Sequence, residues 1–161
     1  MNRLQGMKIA ASLVTACMGV GAASAGGMNV PKIDHAPTLK ECGACHMVYS
    51  PQMLPQRSWE AMMSNLDNHF GDNAQLDEPT RADVLGYLLA NAADAPGQSR
   101  YKWLLRGIKP SVVPVRITEM QWWVRGHGEV NVGNLKATKI KSASNCLGCH
   151  GGADKSGYFG E

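Results

Sequence analysis

Two short runs constrain this chain more than anything else in it: Cys42-Gly43-Ala44-Cys45-His46 and Cys146-Leu147-Gly148-Cys149-His150. Each places two thiols three positions apart, with a histidine directly after the second. Two thiols so spaced can both bond covalently to one flat macrocycle while the histidine approaches the metal at its centre, which is what a c-type haem requires. Two other chemistries use paired cysteines. A structural zinc site would need four thiolates at one metal, but His46 and Cys146 stand 100 residues apart, and each pair brings a histidine that such a site would not use. A redox-active disulfide expects a single motif in a βαβ setting, and no such pattern accompanies either pair. Two covalently bound haem c groups are therefore expected, tethered through Cys42, Cys45, Cys146 and Cys149.

The remaining cysteine, Cys17, belongs to a different kind of segment. Arg3 and Lys8 precede a small apolar run from Ile9 to Val20, and Ala23-Ser24-Ala25 supplies an A-x-A cleavage site. This is the pattern of a secretory signal peptide over residues 1–25. The run is too short and too polar for a membrane span. Val14-Thr15-Ala16-Cys17 offers a rival lipoprotein processing site, with lipid anchoring at Cys17. Either way the chain is expected to be exported, to the periplasm, with no transmembrane span in its mature part. An exported chain with four cysteines would ordinarily suggest disulfides; here every one belongs to a motif.

Charge divides the mature chain. Residues 26–95 carry four basic and nine acidic side chains, and residues 96–161 carry ten basic and four acidic. The reversal coincides with Ala95-Pro96-Gly97-Gln98-Ser99, so one haem-binding lobe is expected over 26–95 and a second over 96–161. Each is below the size at which an apolar core alone is comfortably stable, and a bound haem would serve as its staple.

The fold class expected is all-α, with no convincing alternating strand. Thr38-Leu39-Lys40-Glu41 reads as a capping box opening a helix that carries Cys42 to His46. Ser58 reads as the cap of a second helix with Trp59, Met62, Met63 and Leu66 on one face, stopped by Gly71. Asp77 should cap a third, striped by Val84, Leu85, Leu88, Leu89 and Ala92. The second segment is irregular. Trp103 to Ile108 reads as helical, Pro110 and Pro114 break the next stretch, and Gly126, Gly128 and Gly133 interrupt the one after. Ser142 or Ser144 should cap a short final helix bearing the second motif.

His46 and His150 are the proximal iron ligands by position. Three histidines and several methionines remain for the two opposite faces. His69 continues the apolar stripe of the second helix, which directs it inward. His127 lies among Trp122, Trp123, Gly126 and Gly128, where indoles can wall a flat cofactor and glycines permit close approach. His69 follows His46 by 23 residues and His127 precedes His150 by 23. His35, in Ile33-Asp34-His35-Ala36-Pro37, reads as a surface residue. Met53, Met62, Met63 and Met120 are reserve ligands, with Met62 and Met63 more simply core.

Glu41 to Met47, Leu54-Pro55 with Ser58-Trp59, Leu66 to Leu76 around His69-Phe70-Gly71, Arg116 to Glu119 with Trp122-Trp123, and Ser144-Asn145-Cys146 together resemble the exported dihaem cytochrome c family of bacteria. The similarity spans essentially the whole mature chain. It implies a first lobe similar to class I cytochrome c, a less usual second lobe, and two haems each held by two histidines, with His69 and His127 as the distal pair. It also implies redox partners: a membrane b-type cytochrome as donor and, in some relatives, an oxygen-binding monohaem cytochrome as acceptor. An iron held by two protein nitrogens exchanges electrons without an open site, so an electron carrier and not an enzyme is expected. The competing class is a haem enzyme or gas sensor, peroxidase-like or binding oxygen or nitric oxide through one labile distal ligand. Lys136, Lys139 and Lys141 near the second motif are expected to dock acidic partners. Export argues against nucleic acid.

Overall fold

The computed structural model describes residues 27–128, 130–135 and 139–160. The expected signal segment, with Cys17, and Lys136 lie outside them. Helix dominates, as expected: α1 spans Ala36–Cys42, α2 Gln56–Met63, α3 Glu78–Asn91, α4 Gln121–Gly126, α5 Val132–Leu135 and α6 Ala153–Ser156. Among the described residues no helix is long and apolar enough to cross a membrane.

Helix α1 begins two residues before the expected capping box. His35 is its N-cap and Pro37 lies in the first turn, where proline's fixed φ suits a helix start and its missing N–H costs nothing. Thr38 is consequently a buried residue inside the helix. The helix stops at Cys42, with Gly43 closing onto the Leu39 carbonyl at 3.2 Å. Only the first thiol of the motif is helical; Cys45 and His46 follow in a turn.

Helix α2 is capped from far away in sequence. The Asp94 carboxylate accepts the Gln56 backbone N–H at 2.8 Å and lies 3.7 Å from the Arg57 guanidinium. With that cap supplied, Ser58 is free to be interior: it is fully buried and its hydroxyl has no partner among the described residues. Trp59 and Met63 are buried, and the Trp59 indole donates to the Pro51 carbonyl at 2.8 Å. The helix ends at Met63 rather than near Gly71, and Leu66–Asn68 form a separate 3-10 turn. Helix α3 is as expected: Asp77 accepts the Thr80 N–H at 3.0 Å and its hydroxyl at 2.8 Å, and Val84, Leu88 and Ala92 are buried.

The second segment departs further from expectation. A 3-10 stretch over Ser99–Leu105, not a helix over Trp103 to Ile108, buries Tyr101 and Leu104. Gly97 and Gly107 flank it at φ +85° and +82°, a backbone conformation open to glycine, so the turn starts and stops where those residues allow. Residues Cys146–Gly148 are also 3-10, and the Ser142 hydroxyl is used locally, against the hydroxyl and N–H of Ser144, instead of capping a helix.

Apolar packing crosses the point of charge reversal. Leu54, Trp59, Met63, Val84, Leu88, Ala92 and Ala95 share a cluster with Met120, and Val30, Met53 and Ala93 share another with Tyr101 and Leu104. The ends of the described chain also meet. Met28–Asn29 (β1) pairs antiparallel with Tyr158–Phe159 (β2), and the Val30 N–H donates to the Gly157 carbonyl at 2.9 Å. Two residues a side carry no alternating pattern that a sequence reading could detect.

Candidate functional site

No disulfide joins the four motif cysteines to one another; Cys45 and Cys149 are exposed and Cys42 and Cys146 half-buried. Burial pushes the Cys42 thiol above its ordinary pKa, and the Glu41 carboxylate adds to the shift. Burial likewise raises Cys146. Each motif thus has one sheltered and one accessible sulfur.

Histidines meet in two pairs. The His46 and His69 ring centroids lie 6.2 Å apart with their planes 24° from parallel. The His127 and His150 centroids lie 6.0 Å apart at 85°. A metal–imidazole bond of about 2 Å on each side, plus about 1 Å from nitrogen to ring centre, puts two rings on one metal at a centroid separation of about 6 Å. Both pairs have that separation, so the residues present fit two six-coordinate haem irons. The near-parallel and near-perpendicular ring planes differ between the pairs.

Hydrogen bonds fix which nitrogen each ring offers. His46 Nδ1 lies 2.6 Å from the Met47 carbonyl, and His127 Nδ1 lies 2.9 Å from the Trp123 carbonyl. A carbonyl only accepts, so Nδ1 carries the proton in both rings and Nε2 keeps its lone pair for a metal. His127 also stacks on Trp123, centroids 4.4 Å apart and planes 7° from parallel. His150 meets Phe159 of β2 nearly edge-on at 5.8 Å. Burial holds the His69 imidazole below its ordinary pKa; the nearby His46 adds to the shift and Asp72 opposes it. This environment favours the neutral, metal-binding form.

His69 reaches its partner by a different route from the one its sequence position suggests. It lies beyond the end of α2, in a tight reversal. There its N–H donates to the Asp72 carbonyl at 2.7 Å, and its carbonyl accepts the Asp72 N–H at 3.2 Å. His35 is engaged elsewhere. Its ring stacks on Tyr87 at 4.6 Å, its Nδ1 is 2.8 Å from the Thr38 hydroxyl, and its Nε2 is 3.4 Å from the Asp83 carboxylate. Of the reserve methionines, Met53, Met63 and Met120 are buried in the apolar clusters and Met62 packs against one of them.

The two motifs lie close together. A cavity of about 400 Å³ is bordered by Ala44, Cys45 and His46 from the first and by Leu147 from the second. Tyr49 links the same two regions: its ring lies 5.0 Å from His46, and its hydroxyl donates to the Ser144 carbonyl at 2.7 Å. No sequence signal marks Tyr49, because its partner is 95 positions away. Trp123 was legible, standing four residues before His127 where helical side chains meet.

The family model described as dihaem cytochrome c matches residues 38–158. A diheme cytochrome c from Rhodobacter sphaeroides is similar at 45% identity and TM-score 0.68, over 77% of this chain and 96% of that one. A second structure from that organism is 40% identical with TM-score 0.63, over 78% and 97%. A diheme cytochrome type c from Shewanella baltica is 36% identical with TM-score 0.59, over 74% and 83%. No curated protein matches the chain.

Proposed function

This chain belongs to the dihaem cytochrome c family, and on that premise we propose that it is a periplasmic electron carrier holding two bis-histidine haems. Cys42 and Cys45 would tether the first haem and Cys146 and Cys149 the second. His46 and His69 would bind one iron, His127 and His150 the other. The bound haems supply one-electron chemistry, and two axial nitrogens on each iron leave no site for substrate.

The chain's own residues support that role in three ways. The Met47 and Trp123 carbonyls hold His46 and His127 in the tautomer that presents Nε2. Trp123 stacks on His127 and limits its rotation. Tyr49 ties the loop after the first motif to the segment before the second. The observation that carries the proposal is the pair of imidazole separations, 6.2 and 6.0 Å, each between a motif histidine and a histidine from outside either motif.

The acidic first segment and basic second segment would steer toward oppositely charged redox proteins. The family resemblance, and not the charge, implies a membrane b-type cytochrome as donor and, as in some relatives, an oxygen-binding monohaem cytochrome as acceptor. Visible and EPR spectra of the haem-loaded protein, with and without carbon monoxide, test the ligation. Two low-spin irons, no methionine charge-transfer band and only a slow carbon monoxide shift, limited by release of a protein ligand, are expected. A high-spin iron or ready carbon monoxide binding would replace the carrier with a ligand-binding protein or enzyme.

A further inference from the structure

Phe70 occupies a backbone conformation that a phenylalanine rarely adopts. Its φ is +56°, Gly71 follows at +105°, and His69 and Asp72 are bonded backbone to backbone across them. Two consecutive positive φ values make a tight reversal whose first central position favours asparagine, aspartate or glycine. The turn itself therefore selects against a phenyl ring.

The ring's two neighbours offer a reason. On one side it meets the His69 imidazole at 4.9 Å with planes 63° apart, the edge-on arrangement aromatic rings prefer. On the other, the Arg116 guanidinium lies 4.3 Å from its centroid, within cation–π range. Arg116 arrives from the second segment and is itself 3.7 Å from Glu119.

We infer that Phe70 is a positioning residue for His69, a ring held from behind by Arg116 and bearing on the imidazole so that it stays toward His46. The strained turn is kept because it is the conformation that brings the phenyl against its own neighbour in the chain. This rests on reading His69 as an iron ligand, and it adds that the ligand's hold depends on two residues that touch no metal.

Carbon monoxide binds a six-coordinate iron only as fast as a protein ligand lets go, so its rate reports how firmly His69 is held. Phe70→Asn removes the ring while giving the turn the Asn-Gly pair it favours, so the variant keeps the reversal. In the haem-loaded protein it should speed carbon monoxide binding at one of the two irons by roughly three- to tenfold, the equivalent of one aromatic pair. Arg116→Gln should act in the same direction and less. The thermal midpoint, followed alongside, should not fall in step with the rate change. An unchanged rate in Phe70→Asn, with His69→Ala opening one iron, overturns this inference alone. If His69→Ala leaves both irons closed, the ligand reading and this inference fail together.

Discussion

The chain has five histidines, and what each can do is set by what its nitrogens face. His46 and His127 spend Nδ1 on a backbone carbonyl and keep Nε2 for a metal. His35 directs one nitrogen to the Thr38 hydroxyl and the other to Asp83, and its ring lies flat on Tyr87. The same residue type thus faces a second histidine in one place and packs at a helix start in another, according to its surroundings. His127→Ala is expected to make one iron high-spin and able to bind carbon monoxide. His35→Ala is expected to leave both visible and EPR spectra unchanged and to lower only the thermal midpoint, through α1. A spectral change in the His35 variant would reopen the assignment of the distal ligands. The motif histidines were legible from the sequence because the thiols before them fix their role. His69 was identified by a helical stripe that does not extend that far; its actual position depends on a turn and on Asp72.

Elements are placed where long-range partners supply what local sequence does not. Ser58 has the residue type and position of a helix cap, yet Asp94 does the capping, 38 residues away. That carboxylate satisfies an otherwise orphan N–H at the helix start. Asp94→Ala should therefore destabilise the protein by about 1 kcal/mol, the usual cost of a lost cap. Ser58→Ala should be neutral or stabilising by up to about 1 kcal/mol, since it removes a buried hydroxyl with no partner among the described residues. Denaturant unfolding of the two variants would check this; the opposite ranking would return the cap to Ser58. Asp77 needed no such help, because it accepts from the N–H and hydroxyl of Thr80 three residues on, within reach of a local pattern.

At the scale of the molecule, charge and packing divide the chain differently. The acidic-to-basic switch at residues 95–99 suggests separate halves, but Met120 packs with Leu54 and Trp59, and Tyr101 and Leu104 pack with Val30 and Met53. β1 and β2 join the beginning of the described chain to its end, and Tyr49 bonds to the segment before the second motif. Each half thus contributes residues to apolar clusters that it shares with the other. The haem-loaded protein should accordingly unfold in one cooperative transition, with calorimetric and van't Hoff enthalpies in agreement. Two resolved transitions, each following one haem's absorbance, would show independent halves.

The sequence by itself pointed to haem. Paired thiols with an adjoining histidine stand within five consecutive residues and need no tertiary contact to be recognised. Helical class and the Asp77 cap were legible for the same reason of short range. The tertiary structure alone decided that His46 meets His69 and His127 meets His150, which residue caps α2, where the ends of the described chain pair, and how close the two motifs lie. Those outcomes depend on contacts between residues tens of positions apart, and hydrophobic periodicity carries no record of such partners.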